Sequence, residues 1–524
     1  MMPTSCLGWL VILASWTSSC CAAALRAPPL TALPRIHHRP ARALPPLALS
    51  SAEPSFNKRK LDREFFAIAA PAFIQFAAEP LARLVDAYYM GRLGAVALGG
   101  AGAAIAAQYA VAKLCNDPLL RSTISLVAAG DGAQAADDPA EATVRAEPVA
   151  TALLLALVVG VMQGLLYAFG TGSMLSGMRV GPTSPMRAEA CAYLRVCALG
   201  APAATLWLVL NGIFRGLGDT RTPLLWALVF TALNAVLDPF FIFVCGYGAA
   251  GAASGTALAQ TIACVPLLLA LRDKIGLSST RQLLLPRGGL GALAASLRSY
   301  LRAALLILAR TVAKVSAYTV VGREAARLGA VASAAHILCF QLGVVTTQVC
   351  ESTAIATQTL LAREMNAAKP RRAVARHIVA RGLQIGGGAA ALLSGSTLLG
   401  RHRLVTGLTT DPAVQAAMLL VLPAVLAAQV LKGAAYPING ALMGGLDWGA
   451  AALSMWLAQL SCVGAVAVWS RRGAVALSLP SLWVTFVLLF VVQCFTGLAR
   501  ILSGTGPWRL LYQEEPKEEP TPKA

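Results

Sequence analysis

A carboxamide and a carboxylate stand one helical turn apart inside a long apolar stretch. Asn234 and Asp238 belong to the sequence Asn-Ala-Val-Leu-Asp-Pro, within the apolar residues 223–244. A spacing of four residues places both side chains on one face of a helix. A carboxylate beside an amide, away from bulk water, is able to hold a proton or a small cation. The pair therefore predicts a cation-coupling site, and the plainer alternative is a structural pairing of Asp238 with a neighbouring donor.

A second carboxylate, Asp86, lies near the end of the first apolar stretch, residues 65–89. An ionisable side chain inside the hydrocarbon costs roughly 2.5–3.5 kcal/mol on insertion, so its presence indicates function. The alternative places Asp86 at the membrane surface. Arg83 is a cation of the same stretch, with Glu79 and Asp86 as its candidate partners. Pro71 weakens the helix and predicts a hinge there.

The second half of the chain carries cations instead. Arg310 and Lys314 are one turn apart in the apolar residues 300–321, and Glu351 lies in residues 328–356. Like charges at this spacing repel each other, and Glu351 is the expected neutralising partner. Two interpretations stay open: a structural ion-pair group, or a basic patch that faces an anionic substrate or the carboxylates of the first half.

Other chemistry has little support in the sequence. The twelve cysteines form no Cys-x-x-Cys pair, and the five histidines are scattered. We therefore expect no metal site, no disulfide framework and no organic cofactor, with H⁺ or Na⁺ as the only bound ion. No catalytic constellation is apparent, so the sequence predicts a protein that is not an enzyme.

The elements that carry these residues are membrane helices. Hydrophobic residues make up 57% of the chain and charged residues 13%, and the mean hydropathy is +0.66. Twelve apolar runs of about 20 residues recur, the length that crosses a hydrocarbon core of roughly 30 Å. The fold class predicted is an all-α polytopic membrane protein with twelve transmembrane helices. The net charge of +19 comes largely from basic residues that flank these runs; it indicates both termini on the inner side and not a nucleic-acid partner.

An internal repeat divides the chain into two halves. The hexapeptide Arg-Leu-Gly-Ala-Val-Ala occurs at residues 92–97 and again at 327–332, an offset of 235. Asn211, Gly212, Gly216 and Asp219 return at an offset of 228 as Asn439, Gly440, Gly444 and Asp447. The sequence predicts pseudo-symmetric six-helix lobes at residues 62–271 and 299–500, joined by a basic connector at 272–298. In transporters built this way the substrate binds between the halves.

The two ends of the chain read as additions to this core. Residues 1–52 combine a short apolar run with a Pro- and Ala-rich basic segment that has no acidic residue. They predict a signal-like plus transit-like leader and a plastid membrane, with an ordinary signal peptide and the plasma membrane or an endomembrane as alternatives. Residues 501–524 are predicted to be a disordered tail, because their last twelve are rich in Glu, Lys and Pro.

Several motifs together resemble the multidrug and toxic compound extrusion (MATE) family, in the branch of bacterial DNA-damage-inducible and plant plastid members. The first-half motifs are Pro71, Glu79-Pro80, Leu84-Val85-Asp86, Gly91 with residues 92–94, Tyr193-Leu194-Arg195, and residues 198–202, 214–223, 234–239 and 248–253. The second-half similarity is weaker and covers residues 334–341 and the region of Gln358.

The resemblance implies two six-helix lobes and antiport driven by H⁺ or Na⁺. It assigns cation coupling to Asp86, Asn234 and Asp238, and it matches Asn211 and Thr256 to polar cavity residues. The charges of the second half, and not the resemblance, make Arg310, Lys314 and Glu351 the cavity and substrate candidates. Other branches of the family place a coupling carboxylate in the second lobe, where Glu351 is the nearest match, and Arg83 and Lys314 depart from the family pattern.

The expected function is export of xenobiotics or organic metabolites by alternating access. A plastid exporter of organic anions such as citrate or phenolic acids is the alternative, and a lipid-linked flippase of the same fold is a weaker one. The expected partners are the lipid bilayer and a small organic substrate, and the protein is expected to be a monomer.

Overall fold

The computed structural model describes residues 57–93, 95–132, 142–178, 180–275, 289–471 and 477–512, without side-chain positions for residues 77–88, 91, 95, 98, 142–147, 289–290 and 292–293. Every regular element in these ranges is helical. The predicted leader, part of the connector and the last twelve residues of the tail lie outside them. The helices follow the two-lobe order predicted by the internal repeat.

The helices of the first lobe are α1 (Lys58–Gly91), α2 (Ala95–Gly132), α3 (Ala142–Gly177), α4 (Arg187–Gly216), α5 (Arg221–Pro239, continued by a π-helical turn at Phe240–Val244) and α6 (Gly248–Ile275). The helices of the second lobe are α7 (Gly289–Arg327), α8 (Ala330–Leu342), α9 (Val344–Met365), α10 (Arg372–Leu399), α11 (Arg401–Leu408), α12 (Pro412–Gly444), α13 (Trp448–Arg471) and α14 (Leu479–Leu502). A 3₁₀ turn, Gly506–Leu511, follows.

The all-α membrane architecture is confirmed. Within the described ranges, eight helices are long and apolar enough to cross a membrane, or nine if α8 and α9 form one span that bends by 41° at Gly343. Counted as elements, α8 with α9 and the eleven other long helices match the twelve predicted spans. Hydropathy alone recognises fewer spans than there are long helices.

The two lobes repeat the same set of helix contacts. In the first lobe α4 packs against α2, α3 and α6, while α5 packs against α1 and α6. In the second lobe α12 packs against α9, α10 and α14, while α13 packs against α7 and α14. The lobes meet through α1 with α9 and through α2 with α7, which are also equivalent pairs. The repeat in the sequence is therefore a repeat in space.

The repeated glycines explain how this geometry is kept. A methyl group at Gly216 would lie 2.9 Å from the backbone oxygen of Ile124, and one at Gly444 would lie 2.7 Å from that of Gln358. Both glycines let the central helix of a lobe approach its neighbour closely, as small residues do in membranes. Ile124 and Gln358 therefore occupy equivalent positions. Their equivalence aligns α2 with α9 residue by residue.

The repeated aspartates close equivalent turns. Asp219 accepts hydrogen bonds from the backbone of α5 and pairs with Lys274 at the end of α6. Asp447 pairs with Arg500 at the end of α14 and accepts a hydrogen bond from the Trp508 indole at 3.1 Å. Trp508 is fully buried. The predicted start of the tail at residue 501 is therefore wrong, because this anchored turn keeps the chain folded to Tyr512.

Candidate functional site

The predicted carboxamide–carboxylate pair forms a buried site in the first lobe. The Asn234 side-chain nitrogen donates to Asp238 Oδ2 at 2.9 Å, and Asp238 is 0% exposed. Gly255 of α6 lies directly against the Asp238 side chain, where a Cβ would not fit. The π-helical turn of α5 packs on Gly251, one turn earlier in α6. Small residues of α6 thus hold the carboxylate against a helix and away from water.

The two polar residues assigned by position take different places. Asn211 does not bond to Asp238; its oxygen accepts from Gln75 at 2.6 Å, and its nitrogen donates to the Trp207 carbonyl. The Gln75 oxygen in turn accepts from Arg215 at 2.7 Å, which ties α1 to α4. Thr256 follows Gly255 on α6 and is part-buried. Asn211 therefore belongs to a lobe-internal network, and its role towards a cation stays a prediction.

The first-helix candidates are only partly visible. The backbone of α1 is helical through Asp86, but the side chains of Glu79, Arg83 and Asp86 lie outside the described residues. Pro71 is part-buried within the unbroken helix α1. The coupling role of Asp86 and the hinge at Pro71 accordingly remain predictions.

A cavity at the junction of the lobes gathers the predicted residues of the second half. It is lined by Arg121 of α2 and by Arg310, Lys314, Tyr318, Glu351, Tyr436, Asn439, Met455, Leu489, Phe490 and Gln493. Arg310, Lys314 and Glu351 thus line one cavity, whereas Asn211 and Thr256 are not among its lining residues. The cavity volume is about 10 Å³, room for roughly one water molecule. The site is therefore closed in this conformation.

Three further cations, each buried or part-buried, lie at or next to this cavity. Arg310 is 5% exposed, and its Nε has no hydrogen-bond partner among the residues described. Lys314 donates to the Tyr436 hydroxyl at 3.3 Å and lies over that ring. Lys432, 7% exposed, donates to Thr347 and lies 5.6 Å from the centroid of Phe490, which lines the cavity. In the part of the chain with described side chains, none of the three makes an ion pair.

Glu351 has a different partner from the one expected. It pairs with Arg121 of the first lobe at 2.7 Å and makes no ion pair with Arg310 or Lys314 in the described structure. Arg121 also pairs with Asp117, which pairs with Lys113 and accepts a hydrogen bond from Thr311 of α7. Glu351 thus forms its direct ion pair with Arg121, which reaches it from the facing lobe, and not with Arg310 or Lys314.

Sequence reasoning missed Lys113, Asp117, Arg121 and Lys432. The second apolar run of the sequence covers residues 95–114, which includes Lys113 but not Asp117 or Arg121, whereas α2 continues to Gly132. A signal was nevertheless present, since Lys113, Asp117 and Arg121 recur every four residues and so share one helix face. Lys432 lies one residue beyond the predicted end of its span and inside α12.

Ion pairs between the lobes close one end of the molecule. Arg381 of α10 binds both carboxylate oxygens of Asp62 on α1, at 2.8 and 2.9 Å. Arg363 of α9 lies 2.8 Å from Asp131 at the end of α2. The hydrogen bond from Arg381, together with that from His377, lowers the pKa of Asp62 below its ordinary value. Beneath this pair, Phe65 of α1 is buried in the apolar cluster of the second lobe.

Comparison with known proteins agrees with this geometry. The MatE family model matches residues 133–240. Protein DETOXIFICATION 44, chloroplastic, from Arabidopsis thaliana is 31% identical over 88% of this chain and 86% of its own length. The chain belongs to the MATE family. Protein DETOXIFICATION 43 from the same plant is 30% identical over 87% of this chain and 93% of its own. The resemblance in the motifs is thereby confirmed.

The fold of MATE proteins is also matched in space. A crystal structure of a MATE protein in the bent conformation superposes with a TM-score of 0.72, at 18% identity, covering 88% of this chain and 99% of that one. As a member of the MATE family, the protein is a multi-pass membrane transporter of small molecules. Among the described residues, no group of three or more His, Cys, Asp or Glu side chains is arranged to hold a metal ion.

Proposed function

We propose that this MATE protein is a secondary antiporter that exports a small organic anion in exchange for H⁺ or Na⁺. The observation that carries the proposal is the pair of cations that line the cavity, Arg310 and Lys314, which make no ion pair in the described structure. Lys432, near the ring of Phe490, is a further cation of this kind. An uncompensated buried charge is costly. An anion that enters between the lobes would supply the missing charge.

The cavity must open for this to occur. Its volume of about 10 Å³ is far below that of an ordinary ligand pocket, roughly 300–1,000 Å³. The lobes are held together at one end by Asp62–Arg381 and Asp131–Arg363. Alternating access therefore requires these pairs to part when the cavity faces the inner side. The two lobes would then move as units about the fixed site.

Coupling is proposed for the first lobe. Asp238 with Asn234 offers a carboxylate and an amide in one buried contact, and Asp86 is proposed as a second coupling carboxylate. Cation binding can drive transport only if the cation binds one conformation more tightly than the other. Because α5 packs on α6 at Gly255, a change in the charge of Asp238 acts directly on the contact between these helices.

A second candidate function is export of organic cations. Glu351 lines the cavity together with the aromatic rings of Tyr318, Tyr436 and Phe490, and such rings bind cations. This candidate is weaker because Glu351 is already paired with Arg121. The cavity is lined by three cations, Arg121, Arg310 and Lys314, and by one carboxylate, Glu351.

The membrane is proposed to be a plastid membrane. The support is the transit-like leader of the sequence and the chloroplastic description of a relative that covers most of the chain. The plasma membrane and endomembranes remain the alternatives, and a fluorescent fusion of the full chain distinguishes them.

The test of the function uses purified protein in vesicles. Uptake of radiolabelled citrate and of a cationic dye is measured while a pH gradient and a Na⁺ gradient are imposed separately. We expect citrate uptake driven by one of the two gradients and little uptake of the dye. Gradient-driven transport of the dye alone would contradict the anion proposal and support the second candidate.

A further inference from the structure

The guanidinium of Arg121 is divided between two carboxylates. Its Nε donates to Asp117 at 3.2 Å, on the same helix, and a terminal nitrogen donates to Glu351 at 2.7 Å, on α9 of the other lobe. Both carboxylates are largely buried. A guanidinium carries five N–H donors in a fixed plane. Arg121 is therefore held in position by its own helix and joined to the second lobe by one further contact.

The two carboxylates occupy equivalent positions of the repeat. The close approaches of Gly216 to Ile124 and of Gly444 to Gln358 align α2 with α9. Asp117 precedes Ile124 by as many positions as Glu351 precedes Gln358. By the same alignment, the counterpart of Arg121 is Ile355, which is buried and apolar. One cation of the first lobe thus serves both members of a symmetric pair, and it does so at the wall of the cavity.

We propose that Arg121 and Glu351 form a substrate-operated latch between the lobes, in which an incoming carboxylate takes the place of Glu351 on the guanidinium. The inference rests on the proposed anionic substrate. Asp117 continues to hold Arg121 while the exchange takes place, so the cation stays at the site. Glu351 loses its hold on α2, and the lobes are released at the depth where the substrate binds.

The exchange has an energetic consequence. Glu351 and the substrate compete for one donor. The observed affinity for the substrate is therefore lower than it would be without Glu351, by the free energy of the Arg121–Glu351 contact. Without substrate, the Arg121–Glu351 contact keeps the lobes closed, and the driving ion does not cross the membrane alone. Arg310 and Lys314, which line the same cavity, supply the remaining attraction for the anion.

Three variants separate the latch from simple electrostatics. Glu351→Gln breaks the contact between the lobes and removes one negative charge. Asp117→Asn removes an equivalent charge from the same guanidinium, but this carboxylate lies on the helix of Arg121 itself. Glu364→Gln removes a buried carboxylate of the same helix as Glu351 whose partner, Arg371, belongs to the same lobe.

The measurements are citrate affinity and the distance between the lobes in full-length protein in nanodiscs. Spin labels on unnatural amino acids at the exposed Val244 and Leu399 report the distance. We expect both Glu351→Gln and Asp117→Asn to bind citrate more tightly, by about tenfold, the size of one charge-assisted hydrogen bond. Only Glu351→Gln should show, without citrate, the distance that wild type shows with citrate.

The outcomes are distinguishable. A Glu351→Gln protein with the distance of ligand-free wild type would overturn the latch while leaving the anionic substrate intact. Wild type that binds no citrate and no other carboxylate would overturn the proposed function and the latch together. A change of distance in Glu364→Gln equal to that in Glu351→Gln would assign the effect to α9 in general and also overturn the latch.

Discussion

The two lobes share a scaffold and differ in the charge of their interiors. Both have the same helix contacts, the same close-packing glycines and the same capping aspartates. In the first lobe Asn234 and Asp238 form a buried acidic site. Their counterparts under the second offset of the repeat, Cys462 and Val466, lie in an apolar cluster. In the second lobe Arg310 lines the cavity, whereas its counterpart under the hexapeptide offset is the neutral Gln75.

The difference separates what a fold requires from what a function requires. A glycine at a helix contact cannot change without moving a backbone, so both copies keep it. A buried charge is costly at any position and is retained where a partner in the protein or a bound ligand compensates it. Under the proposed function, the acidic site binds the driving cation and the basic cavity binds the substrate.

The largest effect is expected from neutralising the acidic site of the first lobe. Asp238→Asn removes the charge but keeps the shape of the side chain and its contact with Asn234. We expect gradient-driven transport in vesicles to be lost, while citrate binding to purified protein remains within about twofold, because the change lies outside the cavity. Glu324→Gln, a buried carboxylate of α7 outside the cavity, is the matched control and should transport normally. Full gradient-driven transport by Asp238→Asn would remove the coupling role.

Neutralising the basic cavity should have the converse effect. Arg310→Gln and Lys314→Gln are each expected to weaken citrate binding by about tenfold, the size of one charge-assisted hydrogen bond. The buried Arg215 of the first lobe is bound to Gln75 and lies away from the cavity lining. Arg215→Gln should therefore leave citrate affinity unchanged in protein that retains its fold. Unaltered citrate affinity in the Arg310→Gln, Lys314→Gln double variant would show that the cavity is not the anion site.

The smallest effect is expected at the closed end. Asp62→Asn removes a partly exposed ion pair with Arg381, and such pairs contribute at most about 1 kcal/mol. A fewfold change in the transport rate should follow. Arg381 lowers the pKa of Asp62 below the ordinary value of an aspartate. The carboxylate therefore stays charged down to acidic pH. The ion pair is lost only when the pH falls below that ordinary pKa and through the lowered pKa of Asp62.

Because the pKa of Asp62 is lowered, the pH profile of transport can distinguish Asp62 from Asp238. Between about pH 5 and 8 the Asp62 carboxylate itself does not titrate. In a His377→Gln background, which removes its second partner, Asp62→Asn should therefore change the transport rate without changing the shape of its pH profile. If H⁺ is the coupling ion, Asp238→Asn should instead flatten the pH profile of the downhill citrate flux that remains when no cation gradient is imposed. A profile shifted by Asp62→Asn but not by Asp238→Asn would reverse the assignment of the titrating group.

The spacing of residues along the sequence predicted the contacts between side chains of the same helix. Asn234 meets Asp238 because four residues make one turn, and Arg310 and Lys314 line one cavity for the same reason. The same reasoning failed where hydropathy misjudged a helix end. Asp117 and Arg121 lie beyond the predicted second span, because their own charges ended the apolar pattern on which the span was based.

The ion pair of Glu351 with Arg121 could not be predicted from the sequence, for a different reason. Arg121 is 230 residues away, and neither residue marks the other by spacing. The amino-acid sequence by itself determined the membrane helices, the two-fold repeat and the family, because burial in lipid and helix periodicity are local properties. Only the tertiary structure decided which charges meet, because the packing of α2 against α7 and α9 brings the two lobes together at the cavity.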